Sequence, residues 1–526
     1  MIRGHKSRHA TPATRHSLVL GGLLFILLSL PFSAEGRLVE IRVLHTTDIH
    51  GHLLPTRDYE GNENVGGLLR CATLIRQLRA EQPNVLLIDC GDLYQGGAES
   101  FLTGGRIMIR AINELKYDAW VLGNHEFDWG IEQLIGLQDT ASVPVLAANI
   151  VTRPDLKNPL SHVRPFMVKE VDGLRIAIIG LITPGVPSWS RPDLLGGLEF
   201  EHSVQTLARI MPAVREAEPD IILLATHQGF RPHGDDHANE IKAIAAAFPE
   251  IDVIIGGHLH RAIEDVRIRE TLYTQAGYYA NWLGCVDLSY DTVTRRLVNR
   301  VARVLPIGTQ VAEDAELKAV FQKDLDRAEE YLAEHVGATR DTLGAKPDAF
   351  GRSPVQTLIA RAIAEATHAA IVLHGALSKD ELVSGEIRMK DVWRIVPYEN
   401  RIGVMMLTSA ELTDILNENM RNRGRIQFMG AYGLDFDTER RDGNTVVSRL
   451  RLPDGSPLHP RKRFRVAVNS HVLASGGTRF PTMRRIADEP KSRLDFTTLD
   501  TRTLVTEYIR KHSPLSLDSL VGATKK

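Results

Sequence analysis

Leu122-Gly123-Asn124-His125-Glu126-Phe127-Asp128-Trp129-Gly130 is a polar block fastened to the end of an apolar run, Ala119-Trp120-Val121-Leu122. A buried strand that ends in a glycine can turn sharply, and side chains able to bind cations or move protons follow at once. Asn124 and His125 are adjacent, and Asp128 comes one helical turn later. Alone, the block reads equally well as a hydrogen-bonded turn. Its weight comes from four blocks of the same form. Asp48-Ile49-His50 follows the strand-like Ile41–Leu44, and Gly91-Asp92 follows Val85–Ile88. His227 follows Ile221–Ala225, and Gly256-Gly257-His258-Leu259-His260 follows Val253–Ile255.

Each of the five blocks leaves a predicted strand, so their side chains can gather at one sheet edge. An Asp-x-His or His-x-His pair leaving a strand can point both groups at one ion. Asp48, His50, Asp92, Asn124, His227, His258 and His260 make seven donors, two aspartates, one asparagine and four histidines. That is too many for one zinc and suits two adjacent ions sharing a carboxylate. The set has no thiolate, which fits Zn, Mn, Co or Fe rather than a structural cysteine site.

The bulk composition agrees with a folded enzyme. The chain has 526 residues, a formal net charge of -2 and 43% apolar residues, which predicts two or three domains and excludes a nucleic-acid-coating protein. Its 3 cysteines, Cys71, Cys90 and Cys285, allow at most one bridge, so stability rests on apolar cores. Arg3, Lys6, Arg8 and Arg15 precede the uncharged Leu18–Leu30, closed by Pro31. That pattern predicts export to the periplasm, cell surface or medium, with an uncleaved N-terminal anchor as the alternative; membrane contact follows only from the anchor.

From Glu40 to Pro306, β-branched runs alternate with amphipathic stretches such as Leu68–Arg79, Gly105–Leu115, Val204–Glu216 and Asn239–Ala247. Continuous apolar strands between helices argue for sheets covered on both faces. Leu272–Gln275 and Gly284–Tyr290 suggest antiparallel strands at the domain's end. Ala312–Val336 reads as one long solvated connecting helix. Beyond it lies a second α+β unit, with helices at Pro354–Thr367 and Ser409–Met420 and strands at Ala370–Leu373, Val446–Leu450 and Arg463–Val468.

The ordered series Asp-x-His, Gly-Asp, Gly-Asn-His-Glu, His and Gly-His-x-His resembles the calcineurin-like metallophosphoesterase superfamily. Asp48-Ile49-His50-Gly51-His52-Leu53-Leu54-Pro55, Gly66-Gly67-Leu68-Leu69-Arg70 and the block at Asn124 resemble its secreted 5′-nucleotidase family. The resemblance implies a four-layer α/β/β/α sandwich and the division 1–36 signal or anchor, 37–306 catalytic domain, 307–340 linker helix, 341–520 C-terminal substrate-binding domain and 521–526 tail. It implies that Asp48, His50 and His260 hold one ion, that Asn124, His227 and His258 hold the other, and that Asp92 bridges them. His125 then acts on the phosphoryl group as acid or charge stabiliser, oriented by Asp128. The chemistry agrees: a phosphate ester needs a nucleophile at neutral pH and a clamp on charged oxygens, which two cations supply.

The second unit resembles the 5′-nucleotidase C-terminal domain in Ser384-Gly385-Glu386-Ile387, Val396-Pro397-Tyr398-Glu399-Asn400 and Ala474-Ser475-Gly476-Gly477. There the family holds a nucleoside with arginines and two stacked aromatics. This chain departs from the pattern. His374-Gly375-Ala376-Leu377-Ser378 lacks the asparagine and arginine of an Asn-Gly-Gly-x-x-Arg-like turn, and Gly476-Gly477-Thr478-Arg479-Phe480 lacks the usual aspartate. Phe480, Phe428 near Ile426–Met429, and Arg352 are the substrate-binding candidates.

The resulting expectation is an exported dinuclear-metal phosphoesterase acting on nucleotides or related small phosphate esters through a metal-activated hydroxide. A UDP-sugar, a 2′,3′-cyclic nucleotide or a sulfur-compound conjugate is the alternative substrate, and a non-catalytic binding protein is the third reading. His233-Gly234-Asp235-Asp236-His237 sits in a polar loop and suggests loop ordering near the site. His45 and His52 flank the first block without joining it, and Cys90 reads as a small buried hydrophobe.

Overall fold

The computed structural model describes residues 36–153, 155–425 and 428–521. The export segment, the last residues of the tail and Ile426–Gln427 lie outside these. Among the described residues, no helix is long and apolar enough to cross a membrane.

Two six-stranded sheets carry the N-terminal half. One runs Arg296–Pro306, Trp282–Asp291, Leu38–Thr46, Val85–Asp89, Ala119–Val121, Val145–Leu146. The other runs Ala262–Ile268, Thr271–Ala276, Val253–Gly256, Ile221–Thr226, Leu174–Leu181, Phe166–Val171. Alternation along each strand decides which side chains meet where. Ile41, Val43, Leu86, Ile88 and Val121 face Ile176, Ile178, Leu223, Val253 and Ile255 between the sheets. The residues one step along face outward: Leu44, Leu87 and Trp120 pack under helices Leu68–Glu81 and Arg106–Glu114. Ile179, Leu224 and Ile254 pack under Ser203–Glu216 and Ile241–Ala247. Both faces of both sheets are covered, which gives four layers, α/β/β/α, and explains why these strands read as unbroken apolar runs. Burying each such side chain contributes about 1.5–3 kcal/mol.

In the N-terminal half, the strands that sequence patterning misses are the peripheral ones. Phe166–Val171, Ala262–Ile268 and Arg296–Pro306 are sheet edges whose residues are largely half-buried or exposed, so charges such as Glu264 and Arg300 break their periodicity. The expected antiparallel closure is corrected in part. Trp282–Asp291 is antiparallel to both neighbours, whereas Thr271–Ala276 pairs parallel with Val253–Gly256.

The connecting helix spans Ala315–Ala333, with Asp314 capping it by accepting from the Leu317 N–H. It is less solvated than its charges suggest. Leu317, Phe321 and Leu325 form one buried stripe against the helices of the first sheet. The predicted C-terminal end, around Val336, belongs instead to a strand, His335–Thr339. The C-terminal unit is a mixed sheet in the order Gly430–Tyr432, Ile371–His374, Phe464–Asn469, Arg401–Leu407, Asp495–Asp500. Pro354–Thr367 and Thr501–His512 cover one face, and Ser409–Met420 and Pro481–Asp488 the other.

The two halves meet through polar contacts. Gln95 and the Trp129 indole donate to Glu399 at 2.9 and 3.2 Å, the Gly477 N–H donates to Ser188 O at 2.9 Å, and Arg191 pairs with Asp488 at 3.1 Å.

Candidate active site

Leu38–Thr46, Val85–Asp89 and Ala119–Val121 are parallel neighbours in one sheet, and Ile221–Thr226 and Val253–Gly256 are parallel neighbours in the other. Their carboxyl ends therefore open to the same side, and the five blocks meet there. The backbone is strained locally by this convergence. Asp48, His50, Asp92, His258 and His260 have φ of 52, 51, 54, 72 and 52°, in the left-handed region that costs a side-chain-bearing residue about 1–3 kcal/mol. Gly91, at φ 92°, passes so close to Gly123 that a Cβ would lie 2.6 Å from the Gly123 nitrogen. Glu126 braces both turns from behind: its carboxylate accepts N–H bonds from Gly123 at 2.6 Å, Asp92 at 3.0 Å and Leu93 at 2.8 Å.

The donor atoms form two overlapping groups, Asp48, His50, Asp92 and His260 in one, Asp92, His227 and His258 in the other, each within 4.8 Å. Asp92 belongs to both. Its Oδ2 lies 3.0 Å from His227 Nε2 and 3.8 Å from His50 Nε2, and Asp48 Oδ1 lies 3.2 Å from His260 Nε2. His50 Nδ1–H donates to Gln95 O at 2.9 Å and His227 Nδ1–H to Cys90 O at 2.7 Å, so both rings turn Nε2 toward the cluster. Asp48 is held by the Thr47 hydroxyl at 2.7 Å and the His258 N–H at 3.0 Å. Asn124 Oδ1 is enclosed without a hydrogen-bond partner, and His227 Nε2 is enclosed with the Asp92 carboxylate beside it. Orphaned buried acceptors among imidazoles and carboxylates are what bound cations satisfy, so these residues fit divalent metal.

The cluster's own electrostatics are strongly coupled. Burial raises the Asp92 carboxyl, yet His227, His125 and His50 together hold it well below the usual carboxylate range. Burial lowers His50 and His258, both to about 3. Burial also opposes protonation of His227, but Asp92 and Asp48 lift it to about 9. His125 follows the same rule. Burial would lower it, and Asp128 and Asp92 hold it up at about 10. Its Nδ1 is 2.6 Å from Asp128 Oδ2, its backbone N–H donates to Asp92 Oδ1 at 2.8 Å, and its Nε2 is 4.0 Å from Asp92 Oδ2. The Tyr398 ring lies nearly parallel to the imidazole, with centroids 6.3 Å apart.

A cavity of about 370 Å³ opens from this cluster between the two halves, lined by Asn124, His125, Asp128 and His258 on one side and Tyr398, Met429, His471, Arg479 and Phe480 on the other.

Residues 41–262 match the calcineurin-like phosphoesterase family, and residues 335–485 match the 5′-nucleotidase C-terminal domain. The chain belongs to the 5′-nucleotidase family of calcineurin-like phosphoesterases. Relatives match along most of their length. A Crotalus adamanteus snake venom 5′-nucleotidase is 26% identical over 83% of this chain and 81% of its own, and a Vibrio cholerae 5′-nucleotidase is 24% identical over 92% of each. The crystal structure of a 5′-nucleotidase precursor from Thermus thermophilus superposes with a TM-score of 0.70 at 22% identity, covering 90% of this chain and 96% of that one, a likeness of fold. The chain is a metallophosphoesterase-type hydrolase with a candidate metal site.

Within this 5′-nucleotidase family member, the seven predicted donors and the His125–Asp128 pair lie together, and the substrate candidates do not. Phe480 lines the cavity but is 1% exposed, and Phe428 is also 1% exposed while its neighbour Met429 reaches the cavity wall. Arg352 is committed elsewhere: it donates to Ala431 O at 3.1 Å, Leu434 O at 2.8 Å and Asp435 Oδ1 at 2.6 Å, beside a separate depression. In the polar loop His233 and His237 are exposed, and His237 Nε2 lies 3.2 Å from the Ser188 hydroxyl next to the cavity-lining Trp189. Cys90 is fully buried, and its carbonyl, not its thiol, serves the site by accepting from His227.

Sequence reading passed over Glu126, Tyr398, Trp189 and Arg479. The signal for Glu126 was present, an acidic residue inside a stretch whose neighbours are apolar or committed. Tyr398 and Arg479 stood within stretches already recognised, but their facing partners lie on the other half of the molecule.

Proposed function

We propose that this protein is an exported two-metal phosphoesterase that hydrolyses a nucleotide or a related small phosphate ester. The observation that carries the reading is the shared position of Asp92 in both donor groups, with Asn124 Oδ1 left as a buried acceptor. On this reading Asp48, His50 and His260 hold one cation, Asn124, His227 and His258 the other, and Asp92 both. When bound, the two cations supply Lewis-acid neutralisation of the phosphoryl oxygens and an acidified water. Residues 37–306 then form the catalytic domain, 307–340 the linker and 341–520 the part that binds the rest of the ester, with residues 1–36 directing export.

The chain's own groups do the remaining work. Asp128 accepts from His125 Nδ1 and fixes the ring, so that Nε2–H faces the cavity. From there it hydrogen-bonds the phosphoryl oxygens as charge builds on them and protonates the leaving oxygen. Tyr398 faces the imidazole from the second domain, its ring nearly parallel to it, and narrows the approach to that face. The nucleotide relatives support the substrate class.

A different phosphate ester is the second reading, favoured by the enclosure of both Phe428 and Phe480. Two open aromatic faces for a base are not formed by that pair. Metal content, and turnover of AMP, UDP-glucose, 2′,3′-cyclic AMP and p-nitrophenyl phosphate with Mn²⁺, Zn²⁺ or Co²⁺, test both readings. Release of phosphate that disappears in Asp92→Ala supports the enzyme, and no turnover of any ester by metal-loaded protein rejects it. Nucleotide turnover at low micromolar KM, about the lower end of the usual range, rejects the second reading.

A further inference from the structure

We propose that Arg479 is a specificity residue that selects esters carrying a second anionic group, a carboxylate or another phosphate, on the part remote from the hydrolysed phosphoryl. This rests on the phosphoesterase reading above and adds what the ester must contain.

Most charges in the cavity are already used. Among the lining residues, Arg191 pairs with Asp488 at 3.1 Å, Asp128 holds His125, and Glu399 lies 2.7 Å from Arg502 while accepting from Gln95. Arg401 reaches Asp193 at 3.9 Å, and among the lining arginines Arg479 is the exception. Its Nε is enclosed without a hydrogen-bond partner, and it makes no ion pair among the described residues. Burial and a second cation, Arg425, both act against its charge. A guanidinium keeps its proton under all ordinary conditions. A half-buried, unpaired cation is therefore held here at a cost that a partner anion would offset.

The backbone presents this side chain from a strained turn. Ser475, Gly476, Gly477 and Thr478 take φ of 93, 53, 68 and 65°, four successive positive values, and two of the four carry side chains. The turn is pinned to the catalytic domain by the Gly477 N–H bond to Ser188 O. His471 sits where it feels the positive charge of both Arg479 and His125, so the guanidinium is within a few side chains of the group that faces the phosphoryl. Phe480 and Met429 give the neighbouring wall its apolar character. A planar, five-donor fork in such a pocket matches a carboxylate or phosphate far better than a neutral hydroxyl.

Two matched pairs test this on the full-length, Mn²⁺-loaded protein: AMP against adenosine 3′,5′-bisphosphate, and glycerol 3-phosphate against 3-phosphoglycerate. In at least one pair the anion-bearing member should show a KM lower by about tenfold or more, the scale of one charge-assisted bond pair. The first pair reports a phosphate and the second a carboxylate. Arg479→Met should abolish the preference while kcat and the KM of the plainer ester stay within about twofold, and Arg479→Lys should restore part of it. Calorimetry with the non-hydrolysable methylene phosphonate of each ester gives the same comparison without turnover. A preference in binding without hydrolysis would keep the Arg479 assignment and reject the enzyme. Hydrolysis with no preference in either pair, or an equal loss for both members in Arg479→Met, would overturn the assignment and leave the enzyme standing. Should Arg479→Met fail to fold, the wild-type ratio and Arg479→Lys decide alone.

Discussion

The two walls of the interdomain cavity are built by opposite means. On the N-terminal wall most of the candidate metal donors are held from behind: His50 on Gln95 O, His227 on Cys90 O, Asp48 on Thr47, and the turns around Asp92 and Asn124 on Glu126. On the C-terminal wall the support is looser, with Arg479 unpaired, Phe480 enclosed and His471 pushed down to about 3 by burial and the nearby Arg479. A wall that holds cations must fix atoms to within a fraction of an ångström, and only backbone-anchored supports do that. A wall that recognises the rest of an ester can keep one charge and a shape, and can vary the remainder. The family resemblance is correspondingly complete on one side and broken on the other.

Four substitutions break or sharpen this contrast, in decreasing order of effect. Asp92→Ala removes the one donor common to both groups. Turnover should fall about 10⁴-fold, and metal analysis by mass spectrometry should show less than the wild-type content. Next comes His125→Ala, which should lower kcat about 10²–10⁴-fold with metal content unchanged. Its companion Asn124→Ala should weaken metal affinity about 10–100-fold, read by chelator competition. Equal metal loss from both would mean that the stretch is divided wrongly between cation and substrate. The smallest effect on activity belongs to Arg352→Ala. It should lower stability by about 1–3 kcal/mol, seen in urea unfolding, and leave KM unaltered; a raised KM would bring its depression into the active site.

Legibility in the sequence followed the same division. His227, His258 and His260 were readable because Ile221–Thr226 and Val253–Gly256 are buried on both faces, so the polarity change at their ends is abrupt. Arg296–Pro306 was not, since an edge strand alternates charge with valine and offers no such contrast. The C-terminal helices Pro354–Thr367 and Ser409–Met420 were readable from periodicity, and in the structure Ser353 and Thr408 cap them. Arg352 misled because an arginine next to a helix cap looks the same whether it faces a ligand or three backbone and side-chain oxygens. Arg479 shows the converse: nothing in Gly-Gly-Thr-Arg-Phe says that its neighbours are all spoken for. That is a property of distant residues, and it becomes visible only when the chain is folded.

The left-handed backbone at Asp48, His50, Asp92, His258 and His260 bears on how such a chain can change over generations. Glycine is at ease at φ 72°, and histidine is not. Without its cations, the protein would therefore tolerate His258→Gly well and could even gain stability from it, while losing its chemistry. Thermodynamics alone gives descendants a downhill path away from catalysis at five separate positions.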